Sequence, residues 1–199
     1  MKYFSIDIET TGLNPEKHQI LELGIIFEDT ENPKDFYNSP KFRAIIAHDD
    51  IVGSPVALSM NKDLLITLSI FHSIPELSDE KSAFLKDHNI LYPNQVSDKV
   101  FKFIKDNVGD FYNSDYEINV AGKNFEKFDK KFLEKLPEWN MKFHRRVIDP
   151  ASMYMLSKDK NLPTLNECLE RAGVEGRVDH TALGDAWKVI QVVREFLKK

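Results

Sequence analysis

Two acidic residues, Asp7 and Glu9, stand two positions apart in an otherwise apolar run close to the start of the chain. If this run is a β-strand, its two-residue period places both carboxylates on one face and Ile6 and Ile8 on the other. A mostly buried strand keeps two like charges only when a positive group lies between them, because burial of an unpaired charge is costly. A divalent cation with oxygen ligands meets that requirement, so the run predicts a strand that carries a metal site.

The same acid spacing recurs at Asp29 and Glu31 and at Asp115 and Glu117, so spacing alone is a poor indicator of a metal site. Both later pairs have polar neighbours, and we interpret them as solvated turns. Only the first pair is embedded in strand-like sequence and followed at once by Thr-Thr-Gly. Support for a metal site must therefore come from the rest of the chain.

The length and composition are those of an ordinary globular protein. The 199 residues suit one domain with a full core, with or without an insertion. No run is long and apolar enough to span a membrane, and an acid at position 7 comes too early for a signal peptide. The single Cys168 fits a reducing compartment and a buried helix position, so we expect a soluble, cytoplasmic protein.

The net charge of −5 argues against a large surface for duplex nucleic acid, because such surfaces are normally basic. It leaves open a small site that grips a few nucleotides through metal ions and local lysines. The acids of the predicted metal site themselves account for part of this negative charge.

The order of predicted elements indicates the fold class. Three strands at 2–9, 18–28 and 42–47, joined by short connections, predict an antiparallel meander. After the meander we predict helices at 56–68 with Ser54 as N-cap, 79–86, 96–104, 125–136, 165–172 with a capping box at Thr164, and 181–198. Short strands are predicted at 118–121 and 147–148. The order predicts an α/β fold, a mixed sheet in which an antiparallel meander is followed by parallel strands, flanked by helices.

Two further acids lie on or beside the apolar face of a predicted helix, where a carboxylate is unexpected. Asp129 lies beside an apolar stripe that includes Phe125 and Phe132. Asp185 stands inside the apolar face of the last helix, four residues before Val189. Each acid alone is explained as a carboxylate that caps a neighbouring element at the edge of the core. Together with the pair on the strand, they are better explained by one shared cation site.

His180 stands five residues before Asp185, an offset that would point the two side chains apart on one continuous helix. We therefore expect His180 at or before the N-cap of the last helix, on a loop that meets the acid cluster. The alternative is a surface histidine at a helix start with no further role.

Three segments together resemble the exonuclease motifs of the DEDD superfamily: 7–12, 124–133 and 180–186. The histidine five residues before the last acid resembles the one that marks the DEDDh branch of that superfamily. That branch includes proofreading subunits of DNA polymerases, oligoribonucleases and RNA-trimming exonucleases. The resemblance implies a ribonuclease-H-like fold, a single exonuclease domain over 1–199, and a family-variable insertion within 61–95. The second motif departs from the common pattern, which leaves Glu126 as a weaker alternative to Asp129.

The resemblance also implies roles for the acids and the histidine. Asp7, Glu9, Asp129 and Asp185 would hold two Mg²⁺ or Mn²⁺ ions, with Asp7 bridging both. Glu9 and Asp185 would serve the ion on the side of the nucleophile, and Asp129 the other ion. His180 would take a proton from the attacking water as general base.

The implied activity is 3′→5′ hydrolysis of phosphodiester bonds at single-stranded DNA or RNA 3′ ends, releasing nucleoside 5′-monophosphates. Thr10, Leu13 and Asn124 are the expected substrate contacts, although Leu13 fits equally well a loop residue that folds inward. The resemblance also allows a polymerase or another replication or repair protein as a partner. The alternative function is a catalytically silent nucleic-acid-binding or scaffold module on the same fold, and the intact acid set argues against it.

Overall fold

The computed structural model describes residues 1–109 and 116–198. Asp115, the first acid of the third pair, lies outside the described residues. The strands are β1 (Lys2–Thr10), β2 (Ile20–Asp29), β3 (Lys41–Ile46), β4 (Ile90–Leu91), β5 (Glu117–Ile118), β6 (Val120–Ala121) and β7 (Lys142–Phe143). The helices are α1 (Pro55–Met60), α2 (Lys62–Ser73), α3 (Asp79–His88), α4 (Pro93–Val108), α5 (Asp129–Leu133), α6 (Pro150–Met153), α7 (Leu165–Ala172) and α8 (Ala182–Leu197).

The main sheet has the strand order β4-β3-β2-β1-β6. β1, β2 and β3 form an antiparallel meander, while β6 joins β1 and β4 joins β3 in parallel. A second, two-stranded parallel sheet pairs β5 with β7. The predicted α/β class, with an antiparallel meander followed by parallel strands, is confirmed.

The two faces of β1 have different neighbours. Phe4, Ile6 and Ile8 are buried in the largest apolar cluster, to which α4 also contributes. The opposite face lies under α8, where the hydroxyl of Ser5 donates a hydrogen bond to the carbonyl of Ala186 at 2.8 Å. Because side chains alternate along a strand, Asp7 and Glu9 lie on the α8 side.

The first turn of α8 lies directly against β2. Gly24, which pairs with Asp7 across the two strands, has no side chain, and a Cβ there would lie only 2.4 Å from the carbonyl carbon of Ala182. Glycine therefore permits an approach that any larger residue would block. This approach brings Asp185, in the first turn of α8, over the acids of β1.

The helix predicted at 125–136 is present but much shorter than predicted, because only Asp129–Leu133 is helical. Asn124 adopts a left-handed conformation with φ of 59°, and its N–H donates to the carboxylate of Asp149 at 3.0 Å. The chain then turns, with the N–H of Lys127 bonded to the carbonyl of Asn124 at 3.1 Å. Asp129 consequently enters at the start of a short helix.

Other boundaries also differ from prediction. The helix at 56–68 is divided at Asn61, whose side-chain amide donates to the carbonyls of Thr10 and Ala57, both at 3.1 Å. The strand at 118–121 is two strands that belong to different sheets. The strand at 147–148 is reduced to one bridge between Ile148 and Ala121. Residues 61–95 contain α2, α3 and β4, and their status as an insertion stays a prediction.

The capping signals identify helix ends correctly. Thr164 and Glu167 form the capping box that begins α7, and Gly173 ends this helix in a left-handed conformation. Ser54 caps α1 by accepting a hydrogen bond from the N–H of Ala57. Within the described part of the chain, no helix combines the length and the apolar character needed to cross a membrane.

Candidate active site

Four acids from three separate elements converge on the α8 side of β1. Asp7 and Glu9 are half-buried on the strand, Asp129 is the first residue of α5, and Asp185 lies in the first turn of α8. Asp129 and Asp185 are only 3% and 7% exposed, which is unusual for carboxylates. The structure thus brings together all four acids that the sequence predicted for one site.

Mutual repulsion among these acids is visible in their pKa values. Burial raises the pKa of Asp7 well above its usual range, and the charges of Asp129, Asp185 and Glu9 raise it further. Burial, Asp185 and Glu22 together raise the pKa of Glu9 to about 7. Burial and the neighbouring acids thus disfavour the charged forms of Asp7 and Glu9.

The two helix acids follow the same trend. Burial raises the pKa of Asp129 to about 8, although backbone hydrogen bonds at Ile8 and at Asp129 itself oppose the rise. Burial and the neighbouring Asp179 raise the pKa of Asp185 to about 6, while His180 lowers it. Within residues 1–109 and 116–198, none of the four acids forms an ion pair with lysine or arginine.

His180 lies at the edge of this cluster. It is exposed, has a left-handed φ of 57°, and immediately precedes Thr181, the N-cap of α8, as predicted. Potential ligand atoms of His180, Glu9 and Asp185 all lie within 4.8 Å of one another. His180 is thus both a solvent-exposed residue at a helix start and a direct neighbour of two acids.

The expected substrate contacts differ in exposure. Thr10 is buried, and its hydroxyl donates to the carbonyl of Gly12 at 2.8 Å. Leu13 is 83% exposed, so the alternative that it folds inward is wrong. Asn124 is exposed on the turn before α5. Glu126 is exposed and paired with Lys130 in an ion pair of 2.7 Å, whereas Asp129 is buried among the acids.

Three acids near the site were missed from the sequence. Glu22 on β2 is 1% exposed and pairs with Glu9 across the strands. Asp149 caps α6 and raises the pKa of Asp129, and the backbone N–H of Asp179 donates to Asp185 at 3.3 Å. Glu22 carried a usable signal, because it is an acid inside an apolar strand, as Asp7 is. Asp149 and Asp179 lie in loops, where acids are common.

A cleft of about 320 Å³ adjoins His180. Arg43 and Asn61 line it together with residues from α2. Arg43 is paired with the buried Glu22, its Nε lying 2.5 Å from Oε1. The cleft therefore offers one tethered positive charge beside the acid cluster.

The donor set fits divalent ions that prefer oxygen. Carboxylates are the usual protein ligands of Mg²⁺ and Mn²⁺, and the imidazole of His180 adds one nitrogen donor. A bound cation would compensate the repulsion that raises the pKa values of Asp7, Glu9 and Asp129. The residues present are therefore suited to hold such ions.

The fold resembles those of solved exonucleases. The nuclease domain of 3′hExo, a DEDDh family member bound to rAMP, has a TM-score of 0.60 and 18% identity, over 99% of this chain and 92% of that chain. Exonuclease I of E. coli, in complex with a dT13 oligonucleotide, has a TM-score of 0.57 and 13% identity, over 97% of this chain and 40% of that chain. At these identities the likeness shows the fold, and it confirms the predicted ribonuclease-H-like class.

A third solved structure, which concerns 3′-end-specific recognition of histone mRNA stem-loop by a 3′-exonuclease, has a TM-score of 0.58 and 18% identity, over 99% of this chain and 81% of that chain. A comparison with curated proteins found no match. The model of the RNase T exonuclease family matches residues 4–193, a range that holds all three predicted motifs. The chain therefore belongs to the RNase T exonuclease family, within the DEDD exonuclease superfamily.

Proposed function

We propose that this protein is a metal-dependent 3′→5′ exonuclease that releases nucleoside 5′-monophosphates from single-stranded DNA or RNA ends. The observation that carries the proposal is the convergence, beside a histidine, of four acids that have no lysine or arginine partner among the described residues. In particular, Glu9 and Asp185 have potential ligand atoms within 4.8 Å of His180. A binding or scaffold module would have no use for so costly a cluster.

The four acids divide the binding of two ions. Asp7, whose pKa responds to the charges of the other three, would bridge both ions. Glu9 and Asp185 would hold the ion beside the attacking water, and Asp129 would hold the other ion. When bound, two divalent ions stabilise the entering and leaving oxygens of an in-line displacement at phosphorus.

His180 would act as the general base. Its imidazole would accept one proton from water as the new oxygen–phosphorus bond forms and the bond from phosphorus to the 3′-oxygen of the preceding nucleotide breaks. That 3′-oxygen would take up a proton from solvent and become the new 3′-hydroxyl. The products are one nucleoside 5′-monophosphate and a strand shortened by one nucleotide. An exposed position at a helix start suits this role, because the imidazole must exchange its proton with solvent.

The 3′ end of the nucleic acid would bind at the loop that follows β1. Leu13 is an apolar side chain that is 83% exposed, and such a residue is available to pack against a terminal base. Thr10 lies directly before this loop, and Asn124 is exposed on the turn before α5. The solved relatives bound rAMP and dT13, so both sugar types are candidates here. A polymerase or repair partner stays a prediction from the sequence.

The test is a degradation assay with single-stranded DNA and RNA oligonucleotides that carry a label at the 5′ end. We expect a ladder that shortens one nucleotide at a time with Mg²⁺ or Mn²⁺ and stops with a chelator. Oligonucleotides blocked at the 3′ end should resist. Full activity after exhaustive metal removal, or release of the 5′ label as the first product, would refute the proposal.

A further inference from the structure

Strand β2 presents two buried glutamates to helix α8. Glu22 and Glu28 both lie on the face of the sheet that α8 covers, and each is 1% exposed. Each is also paired with an arginine, Glu22 with Arg43 and Glu28 with Arg194. Glu22 and Glu28 thus lie on the same strand, are equally buried and each have an arginine partner.

The two glutamates differ in what they bind on the helix. The Oε2 atom of Glu22 accepts a hydrogen bond of 2.8 Å from the backbone N–H of Ala182, the first residue of α8. The first N–H groups of a helix have no partner within the helix, so this bond satisfies one of them. Glu28 instead binds the side chain of Arg194, with N–O distances of 2.7 and 2.6 Å, near the other end of the helix.

The bond from Glu22 falls at the acid cluster. Ala182 lies two residues after His180 and three before Asp185, so it belongs to the short segment that bears both side chains. Glu22 also pairs with Glu9 in the register of the two strands. The hydrogen bond from Ala182 to Glu22 therefore connects the pair of strand residues Glu9 and Glu22 to the start of α8, next to His180 and Asp185.

We propose that Glu22 is a positioning residue, which fixes the start of α8 relative to β1 and thereby sets the spacing of the metal-binding acids. This inference rests on the proposed function, because it assumes that Glu9 and Asp185 share a cation. Outer-shell groups that hold ligands in place commonly contribute about 10- to 100-fold to metal affinity. Glu28, at the far end, would stabilise the fold without that effect.

The test must preserve charge, because the charge of Glu22 itself raises the pKa values of Asp7 and Glu9. Glu22→Asp keeps the negative charge and withdraws the carboxylate from Ala182 by about one carbon–carbon bond, roughly 1.5 Å. Glu28→Asp makes the identical change against Arg194 and serves as the matched control. Mn²⁺ affinity by calorimetry, melting temperature and amide exchange at Ala182 in metal-free protein are measured for both.

We expect both variants to lose similar thermal stability, while only Glu22→Asp exchanges faster at Ala182 and binds Mn²⁺ about 10- to 100-fold more weakly. Equal Mn²⁺ affinities in the two variants would overturn the inference, because the role of Glu22 would then be structural. If Glu22→Asp fails to fold, Ala182→Pro removes the N–H that Glu22 accepts, at the first position of α8 where proline is tolerated, and leaves every charge in place. An Mn²⁺ affinity of this variant equal to that of the wild type would likewise overturn the inference.

The wild-type protein separates failure of this inference from failure of the proposed function. If the wild type neither binds Mn²⁺ nor degrades oligonucleotides, the proposed function fails and the inference fails with it. If the wild type does both and the Glu22 and Glu28 variants behave alike, only the positioning role is refuted.

Discussion

We expect Gly24→Ala to inactivate the protein by pushing α8 away from the strand acids. The added Cβ would lie 2.4 Å from the carbonyl carbon of Ala182 and 2.5 Å from the nitrogen of Leu183, and both are backbone atoms that cannot rotate away. Carbon atoms in contact rest about 3.5 Å apart, so the helix end must retreat by about 1 Å. A misplacement of about 1 Å can lower a catalytic rate about 100-fold.

The assay compares kcat per folded molecule with the free energy of unfolding. Overpacking at Gly24 should cost about 1–3 kcal/mol. The matched control is Ile190→Ala, a fully buried position on the same helix, where the cavity should cost about 2–5 kcal/mol and kcat should stay normal. A Gly24→Ala protein with wild-type kcat would refute the reasoning, as would an Ile190→Ala protein that loses as much kcat.

Three further predictions concern the acids and the histidine. Asp7→Asn should abolish turnover and leave the metal-free fold as stable or more stable, because one repelling charge is removed; Asp29→Asn, from the pair with the same spacing, should stay active, and an unfolded or active Asp7→Asn would contradict this. His180→Ala should lower kcat about 10²–10⁴-fold with Mn²⁺ affinity nearly unchanged; rescue by high Mn²⁺ would identify a metal ligand instead, and a rate close to wild type would exclude the general base. In metal-free protein, the pKa of Glu9 is raised to about 7 and that of Asp129 to about 8. The folded state therefore binds more protons than the unfolded state between pH 5 and pH 8, and the free energy of unfolding should fall as the pH rises through this range. Melting temperatures across this range measure the fall, which should be shallower in Asp7→Asn; a rise would disprove the assigned pKa shifts.

Several features of the site could be predicted because their signals are local. The alternation around Asp7 and Glu9 gives the strand and the face of the acids, and it needs no knowledge of distant residues. The capping box at Thr164 and the Ser-Pro start of α1 are likewise short-range patterns. The position of His180 before the N-cap of α8 followed from helical geometry alone.

The remaining features depend on distant contacts that a pattern does not contain. The turn at 124–128 replaces a helix because Asp149 binds the backbone of Asn124 from 25 residues away. The break at Asn61 depends on the carbonyl of Thr10, on a different element. Glu22 is meaningful only once α8 lies over β2, a contact with a sequence separation of 160 residues.

In the register of β1 against β2, Asp7 and Glu9 also affect how the two strands align when the sheet forms. In the native register Asp7 faces Gly24 and Glu9 faces Glu22. A slip of one residue would turn both carboxylates to the side of Phe4, into a cluster of aliphatic and aromatic side chains. Burial of two charges there without partners would make that pairing unfavourable. The carboxylates that repel one another in the finished metal-free fold therefore exclude a misaligned sheet, and the correct strand alignment is selected before any cation binds.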